Sequence, residues 1–572
     1  MIYSKLRLVW VSVLLILSMV FCLHGCNRNG VPESGSQNNV GKSNALAEGM
    51  EDFDLEGLSL EEFFQPLEQG TYYLGTCESV VSGDTFRREF VFSLEDVQKK
   101  SFAATLFDVT DGQKATTKPE PLKGIIRARK FVVTHNGEEM TMRKIKLTKT
   151  GSGIQGSFTV GKRPYVFSLK RLVQPDYRVF EKRYERELYT YKILKNVKYG
   201  EAMGYWTSNV ADEINYLEIF AKGVSSTVRK RNLDLLMDVY LPENDDIQSR
   251  PLIVFFHGGA FYIGDKADNP IVLWCRHFAA CGYVVASINY RMGFQLTKVA
   301  IERCGYAAVQ DAHAAMRYLL SKKDEYHINP DYVFVAGSSA GAITSLNLAF
   351  MRNATRPASS HKHGVYSEMG DIESSGNSLK QDFHIRAVAN MWGAVNDLAQ
   401  LSSSETSIVC FHGDADKVVP YDSGIPFYDM KVKIGTLFFG RMYGSAAIHR
   451  RAKQLGYRTE LHTFHGAGHA PHVDKNNQPT PEFYRIQKNI TDFFYGEFVP
   501  PATAVKRELN RPQWFRLDGD GWKAVHWKAE GGFILQTEKE RVRVVFVEGK
   551  TPTLRASVLY ENGASSIFHA DL

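Results

Sequence analysis

The residues best placed to do chemistry form a short glycine-flanked segment around a serine. Residues 337–341 read Gly-Ser-Ser-Ala-Gly, which fits the pattern G-x-S-x-G with Ser339 at its centre. The apolar run Tyr332–Ala336 precedes the segment, and a helical stretch starts near Ala342. Because the glycines permit a tight strand-to-helix turn, Ser339 is predicted to stand exposed at a sheet edge as a nucleophile. The alternative is a Ser/Gly-rich connecting loop without chemistry.

A second glycine segment directly follows the apolar run Leu252–Phe256 and reads His-Gly-Gly-Ala-Phe over residues 257–261. Glycines let backbone N–H groups turn toward a carbonyl oxygen that becomes negative during attack. Such donors contribute roughly 3–4 kcal/mol each in the transition state. The predicted donors are Gly258 and Gly259, or Ala260, together with the N–H of Ala340. His257 is interpreted as a structural residue.

A serine nucleophile also needs a base and an acid that orients the base. The apolar run Ser407–Phe411 leads into residues 412–420, which read His-Gly-Asp-Ala-Asp-Lys-Val-Val-Pro. This turn offers two acids, Asp414 and Asp416, and the residue types alone do not choose between them.

The predicted base is His469, which follows a strand-like run and a flexible Gly-Ala-Gly segment. Nucleophile, acid and base then occur in the chain order of a known triad arrangement. An alternative is that His465, His469 and His472 together bind a metal, although no carboxylate motif accompanies them. The sequence therefore predicts no metal site, and a serine mechanism requires no organic cofactor.

These segments must be positioned by elements that bring several strand ends together. From about residue 196 to 498, apolar runs alternate with helical stretches, which predicts βαβ units. Tyr283–Ile288 is almost entirely apolar, as a strand buried on both faces is. Ala307–Lys322 carries apolar residues at helical spacing. The predicted class is α/β, with a mostly parallel sheet flanked by helices over residues 196–498.

The stretch from about Tyr199 to Phe494 resembles bacterial carboxylesterases of the α/β-hydrolase superfamily, near the type-B carboxylesterase and hormone-sensitive-lipase groups. The matching pieces are residues 235–242, 257–261, 289–291, 310–311, 337–341, 412–420 and 468–469. The residue before the nucleophile is Ser338, where both groups commonly have Glu or Asp. The resemblance therefore extends to the superfamily and does not select either of the two groups.

This resemblance implies a carboxylic ester hydrolase that works without a cofactor. It also implies that Asp416 is the acid, because it occupies the acidic position of an HG-x-x-D-x-x-VP turn, while Asp414 stabilises the turn. Phe261, Tyr262 and Trp392 are candidates for the acyl or alcohol pocket, with core packing as the alternative.

The flanking regions read as β structure. Residues 70–175 alternate with period two between turn signals, which predicts an N-terminal antiparallel β domain, either a small barrel or a sandwich. Residues 500–572 return to strand-like runs and resemble the immunoglobulin-like PKD modules of secreted bacterial enzymes. They predict a C-terminal β-sandwich-like module.

The first residues predict export. Lys5 and Arg7 precede the apolar run Leu8–Leu23, which is typical of a secretory signal over residues 1–25. Residues 26–69 follow as a predicted flexible tether, since much of this stretch is rich in Asn, Gly and Ser.

Residues 23–26, Leu-His-Gly-Cys, resemble the bacterial lipobox, in which the cysteine is lipidated. Asn27 follows Cys26 where an inner-membrane retention signal would have Asp, which favours an outer-membrane lipoprotein of the cell envelope. The alternatives are a plain signal peptide and an uncleaved membrane anchor.

Composition and charge argue against some classes of protein. The formal charge of +6 over 572 residues is small, and the basic residues form no stripe interleaved with aromatics, which argues against nucleic-acid binding. The seven cysteines have no regular spacing and imply no disulfide framework. The sequence thus predicts an envelope-anchored esterase whose partners are a small-molecule or carbohydrate-linked ester and the lipid bilayer. A peptidase or amidase with the same triad is the first alternative, and a non-catalytic surface binding lipoprotein is the second.

Overall fold

The structure is a computed structural model, and its chain divides into two compact units. One unit comprises residues 181–499 with 562–564, and the other comprises residues 1–180, 500–561 and 565–572. The predicted signal, Cys26 and most of the predicted tether lie outside the described residues. The structure describes residues 51–52, 60–64, 67–111, 114–127, 130–135, 137–150, 153–208, 227, 229–245, 247–402, 405–427, 439–499 and 504–572.

The unit that contains Ser339 is built on an eight-stranded sheet. Its strands are β1 (Thr190–Gly204), β2 (Arg231–Glu243), β3 (Arg250–Phe256), β4 (Val284–Ile288), β5 (Ile328–Ser338), β6 (Ala387–Met391), β7 (Ser407–Gly413) and β8 (Thr459–Phe464). The order across the sheet is β1-β2-β4-β3-β5-β6-β7-β8. β2 pairs antiparallel with both β1 and β4, and all later pairs are parallel. This arrangement is the α/β-hydrolase fold that the sequence predicted.

Burial explains why the sheet forms. Every residue of β3, β4, β6 and β7 is buried, so both faces at the centre of the sheet are covered. Strands in such a position are apolar almost throughout, as the sequence runs are. A buried ion pair ties the loop after β4 to a neighbouring helix, with Arg291 Nη2 lying 2.7 Å from Asp311 Oδ1.

In the part of this unit that the structure describes, the helices of ten or more residues are α1 (Asn269–Ala280), α2 (Lys298–Ser321), α3 (Ala340–Phe350), α4 (Ser445–Gln454) and α5 (Pro481–Tyr495). α1 and α5 have a proline in their first turn, where no intrahelical N–H partner is needed. The Thr297 side chain caps α2 by accepting a hydrogen bond from the N–H of Ala300 at 3.1 Å. Shorter elements are the helical turns Lys323–Tyr326, Asn353–Thr355, Ala358–Ser360 and Leu398–Gln400, and the strands Ala394–Val395, Ser423–Gly424 and Met442–Gly444.

Parallel strands bring their carboxyl ends to one edge of the sheet. β3 is followed by the loop 257–261, β5 by Ser339, β7 by the acidic turn and β8 by the loop of His469. The fold therefore delivers all the candidate segments to the same edge.

The second unit contains a nine-stranded antiparallel sheet. Pairing between Glu138–Thr150 and Gly153–Val160 closes the sheet on itself around an apolar interior. Its strands are Glu51–Asp52, Tyr72–Ser79, Arg87–Gln98, Ser101–Asp108, Glu120–Arg127, Lys130–His135, Glu138–Thr150, Gly153–Val160 and Arg163–Arg171, and a helical turn spans Leu60–Phe63.

The later β segment adds two more sheets to the second unit. One contains Ala504–Arg507, Trp514–Asp518, Gly532–Thr537 and Arg541–Val547, and the other contains Trp522–Glu530, Thr553–Tyr560 and Ser565–His569. The short strand Thr116–Thr117 pairs in parallel with Phe546–Val547. Val91 and Phe107 share an apolar cluster with Phe533 and Val545. The two β regions that the sequence separates are therefore parts of one compact unit.

Two further observations concern the whole described chain. Cys77, Cys275, Cys281, Cys304 and Cys410 are each a buried thiol. Within the described ranges, no helix has the length and apolar character needed to cross a bilayer.

Candidate active site

Ser339 occupies a sharp turn between β5 and α3. Its backbone has φ 54° and ψ −118°, a left-handed conformation that is unusual for a residue with a side chain. The flanking glycines make this turn possible. A Cβ on Gly337 would lie 2.3 Å from the Gly341 carbonyl oxygen, and a Cβ on Gly341 would lie 2.1 Å from the carbonyl oxygen of Phe256. The G-x-S-x-G spacing is thus a steric requirement of the elbow.

The imidazole of His469 lies between the serine and a carboxylate. Its Nε2 is 2.9 Å from Ser339 Oγ, and its Nδ1 is 2.7 Å from Asp416 Oδ2. An ionised carboxylate only accepts hydrogen bonds, so Nδ1 carries the proton and Nε2 of the neutral ring is free to accept one from the serine. Residues that are far apart in sequence therefore meet in the geometry of a nucleophile, a base and an orienting acid.

Asp416 is held by more than its contact with His469. Its Oδ1 accepts hydrogen bonds from the N–H groups of Val418 at 2.7 Å and Val419 at 3.1 Å. Its Oδ2 also lies 3.2 Å from Nε2 of His412. Burial acts to raise the pKa of Asp416, but the hydrogen bonds from His412 and His469 outweigh it and lower the pKa below its usual range. The carboxylate is consequently ionised at neutral pH.

The other acid of the turn has a different partner. Asp414 Oδ2 lies 2.8 Å from Nδ1 of His465, whose side chain is 86% exposed, and Asp414 Oδ1 accepts from the Gly466 N–H at 2.6 Å. Asp414 therefore stabilises the turn, and the geometry selects Asp416 as the partner of His469.

His412 is a neighbour of Asp416 that was not among the predicted site residues. It is fully buried, and its Nδ1 lies 2.7 Å from Ser445 Oγ while its Nε2 faces Asp416. Its place at the start of the His-Gly turn, four residues before Asp416, was the one available signal. The structure thus gives the acid two histidine neighbours.

The loop after β3 approaches the nucleophile closely. A Cβ on Gly258 would lie 3.5 Å from Ser339 Cβ, and a Cβ on Gly259 would lie 2.0 Å from the carbonyl oxygen of Ile263. Gly259 and Ala260 have φ values of 102° and 53°. Ala340 is the first residue of α3, where backbone N–H groups lack intrahelical partners. The predicted oxyanion donors therefore lie on the two backbone segments that adjoin Ser339.

His257 supports this loop from inside the protein. Its ring stacks on Tyr290 with centroids 4.4 Å apart, and its Nδ1 donates to the carbonyl oxygen of Gly258 at 2.8 Å. The Tyr290 hydroxyl donates to the His257 carbonyl oxygen at 2.6 Å. Burial lowers the pKa of His257 and so favours the uncharged ring.

A cavity of about 760 Å³ opens beside Ser339. Its apolar walls include Phe261, Ile301, Tyr306, Val309, Ile343, Met351, Phe427, Phe439 and Met442. Polar side chains share the lining: Lys298, Glu302, Asn347, Thr355, Ser359, His363, Asn396, Asp397, Gln400 and Arg441. Ala260 and Ala340 border it together with Ser339, so the nucleophile and two predicted donors face one space.

Two of the three predicted pocket residues do not line this cavity. Phe261 does, but Tyr262 is 3% exposed and packs edge-on against Phe294 and Trp206. Trp392 is 1% exposed; its ring meets the His469 ring edge-on and packs at a tilt against the His472 ring. Core packing, the alternative reading of these two residues, is what the structure shows.

The three histidines considered as a metal cluster have separate surroundings. His465 pairs with Asp414, His469 bridges Ser339 and Asp416, and His472 lies between Trp274 and Trp392. Among the residues that the structure describes, no group of three or more His, Cys, Asp or Glu side chains is arranged to hold a metal ion.

Parts of the chain are similar to known proteins. The BD-FAE family model matches residues 237–408, a segment that contains Gly258 and Ser339 but ends before Asp416 and His469. Gut esterase 1 of Caenorhabditis elegans is 27% identical over 94 residues, covering 16% of this chain and 17% of that protein. Neuroligin-like protein glit-1 of the same animal is 34% identical over 94 residues, covering 16% of this chain and 12% of that protein.

Among solved structures, Thermogutta terrifontis esterase 2 phosphorylated by paraoxon is 20% identical, with a TM-score of 0.32. The alignment covers 46% of this chain and 89% of that one. This chain spans less than one fifth of the length of either curated relative named above.

Proposed function

We propose that this chain is a serine esterase that cleaves carboxylic esters through an acyl-enzyme intermediate on Ser339. The observation that carries the proposal is the hydrogen-bonded series Asp416–His469–Ser339, with distances of 2.7 and 2.9 Å, in which Ser339 lines a cavity. The match to Gut esterase 1 supports the same reaction class. The match to glit-1 is to a protein whose name describes no enzyme, and it supports no reaction class.

Acylation follows from the geometry. Ser339 Oγ attacks the ester carbon while Nε2 of His469 takes the hydroxyl proton, over a distance of 2.9 Å. The ionised Asp416 stabilises the imidazolium that forms and keeps Nδ1 protonated. The former carbonyl oxygen becomes negative and accepts hydrogen bonds from the N–H groups of the Gly258–Ala260 loop and of Ala340.

The tetrahedral intermediate then collapses. His469 returns its proton to the leaving alkoxide, and the acyl group remains on Ser339 as an ester. In the second half, His469 takes a proton from water and the resulting hydroxide attacks the acyl carbon. The second tetrahedral intermediate collapses as His469 returns that proton to Ser339 Oγ, the bond between Oγ and the acyl carbon breaks, and the carboxylic acid leaves. Besides the ester and one water molecule, each step uses only groups of this chain, and protons balance over the cycle.

The length and the lining of the cavity indicate which esters fit. Ser339 and Asn347 both border it and are eight residues apart along α3, which corresponds to about 12 Å at the rise of an α-helix. The space therefore accommodates acyl or alcohol groups well beyond acetyl. Its mixture of apolar walls and hydrogen-bonding side chains suits a small-molecule or carbohydrate-linked ester.

The cellular location is part of the proposal. We infer that residues 1–25 direct export and that Cys26 carries a lipid anchor in the bacterial cell envelope, most consistently with an outer-membrane lipoprotein. The support is the sequence of residues 1–27 alone. Metabolic labelling with a fatty-acid probe tests it: wild type should be labelled and Cys26→Ala should not, and an unlabelled wild type would refute the anchor.

Hydrolysis of p-nitrophenyl acetate by wild type and Ser339→Ala tests the reaction. We expect wild type to turn over and the variant to lose at least about 1000-fold in kcat. A fluorophosphonate probe should label wild type at Ser339 and leave the variant unlabelled. Equal rates in both proteins would refute the proposal.

A panel that pairs acyl esters with aminoacyl amides separates the esterase from an amidase or peptidase with the same triad. Esters should be cleaved with the higher kcat/KM, and a preference for amides would replace the proposal by its first alternative. Glycan binding without any probe labelling would favour a non-catalytic binding protein.

A further inference from the structure

Four aromatic side chains from four segments form a stack that ends at the candidate base. The His472 ring lies between two indoles, with centroids 4.7 Å from Trp392 and 5.4 Å from Trp274. Trp274 in turn lies parallel to the Phe483 ring at 4.8 Å. At the other end, Trp392 meets the His469 ring edge-on at 6.4 Å. The stack therefore connects α1 and α5 to the base.

The loop itself has little packing next to His469. A Cβ on Gly468 would meet nothing within 4 Å, and Ala470 has a positive φ of 57°. Backbone contacts hold the loop on either side: Ala467 O accepts from the N–H of Ala415 at 3.1 Å, and His472 O accepts from the N–H of Thr480 at 3.0 Å. After His469, the side chain of His472 anchors the loop to the core.

His472 is suited to this contact because it is buried and uncharged. His472 is 7% exposed, and burial lowers the pKa of its imidazole to about 4, so the ring is uncharged at pH 7. Stacked aromatic pairs contribute about 0.5–1.5 kcal/mol each beyond the area they bury. His472 makes one stacked contact, with Trp274 at an interplanar angle of 17°, and one tilted contact, with Trp392 at 38°, and together they restrain the position of its ring.

Trp392 is also fixed relative to the nucleophile. It directly follows Met391, whose carbonyl oxygen accepts a hydrogen bond from the Ser339 N–H at 2.9 Å. Its own N–H donates to the carbonyl oxygen of Phe411 at 2.7 Å. Trp392 is thus connected through its backbone to the Ser339 turn and through its indole to the loop that carries His469.

We propose that His472 is a positioning residue: held between Trp274 and Trp392, it fixes the loop that presents His469 to Ser339. This inference rests on the proposed function, since it concerns the geometry of that triad. His472 is not among the residues that line the cavity, so its effect on the reaction is expected to act through His469.

The proposal predicts a specific kinetic pattern. His472→Ala leaves a gap between the indoles and frees the loop, so kcat should fall roughly 10- to 100-fold, as expected for a base misplaced by about 1 Å. KM should change by less than about twofold, because the cavity walls are elsewhere. His472→Phe restores a flat ring of similar size, and kcat should return to within about threefold of wild type.

His313 offers a matched control in the same unit. It is also a buried histidine, 6% exposed, it packs against Phe383 with centroids 5.3 Å apart, and burial lowers its pKa to about 3. It lies on α2 and does not border the cavity. His313→Ala should lower the thermal unfolding midpoint as His472→Ala does, but leave kcat unchanged at a temperature where all variants are folded.

The experiment measures kcat, KM and the rate of fluorophosphonate labelling for the full-length wild type and the three variants. Loss in His472→Ala with recovery in His472→Phe and no loss in His313→Ala supports the proposal. An unchanged kcat in His472→Ala, no recovery with Phe, or an equal loss in His313→Ala overturns it. A wild type without hydrolysis or labelling refutes the proposed function instead, so the two failures are distinguishable.

Discussion

Replacing Asp416 by asparagine tests the triad at the residue whose surroundings are most completely defined. The carboxylate accepts from His469 Nδ1 through Oδ2 and from the N–H groups of Val418 and Val419 through Oδ1. Asparagine has one oxygen and one NH₂ group in place of the two oxygens. If its oxygen keeps the two backbone hydrogen bonds, its NH₂ group faces Nδ1 of His469.

That arrangement forces the wrong tautomer. Nδ1 must then accept, so the proton moves to Nε2, which can no longer take one from Ser339. Turning the amide around would abandon two backbone hydrogen bonds, at about 1 kcal/mol or more each. We therefore expect kcat to fall about 10³- to 10⁴-fold, as in other triads with this substitution. This corresponds to about 4–5.5 kcal/mol of lost transition-state stabilisation.

The assay is steady-state hydrolysis of p-nitrophenyl acetate, with the rate of fluorophosphonate labelling as a second measure of the nucleophile. Asp414→Asn is the matched control, because it removes an acid from the same turn whose partner is the exposed His465. It should keep kcat within about threefold of wild type. A loss below about 10-fold in Asp416→Asn, or an equal loss in Asp414→Asn, would refute the assignment of the acid.

Three further predictions follow from the same site. Gly259→Ala should lower kcat about 10²- to 10³-fold with little change in KM, because a Cβ 2.0 Å from a carbonyl oxygen displaces the donor loop. Ile343→Trp should lower kcat/KM for p-nitrophenyl octanoate about 10-fold more than for the acetate, because Ile343 lines the cavity one turn beyond Ser339. Because the pKa of Asp416 is lowered in the folded state, its stabilising effect should be complete only above about pH 5 and should decline below that pH as acid protonates the residue in the unfolded chain. Urea unfolding of wild type and Asp416→Asn between about pH 3 and pH 6 measures this decline.

Each of these has its own control. Gly456→Ala also places a side chain at positive φ, but in open space away from the site, so a comparable loss of kcat there would contradict the oxyanion argument. Ile343→Val should keep the octanoate-to-acetate ratio near that of wild type, and a ratio unaffected by Trp would contradict the cavity assignment. A constant difference in unfolding free energy between wild type and Asp416→Asn across that pH range would contradict the lowered pKa.

Much of the candidate site could be predicted because its residues are tied to strand ends. The pattern around Ser339 needs glycines for steric reasons. The loop 257–261 and the acidic turn each follow an apolar run typical of a buried strand, and the His469 loop follows a strand-like run that is only partly buried. Parallel strands then bring such segments to one edge, whatever their separation in sequence. The choice between Asp414 and Asp416 needed a resemblance, since both lie on the same turn and differ only in which way their side chains face.

What the sequence could not predict depends on side-chain direction and on distant pairing. Phe261 and Tyr262 are neighbours, yet one lines the cavity and the other packs away from it, because the chain turns through positive φ at Phe261. For Trp392 the sequence left a place in the substrate pocket and a place in the core both open, and its ring is buried and meets the His469 ring edge-on. No local pattern reveals that Thr116–Thr117 pairs with Phe546–Val547, so the two β regions read as separate modules.

That pairing has a consequence for biosynthesis. The unit with Ser339 is continuous from residue 181 to 499 except for three later residues, whereas the other unit needs strands made before and after it. Val91 and Phe107 acquire Phe533 and Val545 as neighbours only when the ribosome has passed residue 545. Since domains tend to fold as their residues emerge, the earlier β segment waits with an uncovered apolar face until synthesis is nearly finished. Its exposure to chaperones and proteases therefore lasts for the time taken to translate the whole hydrolase unit.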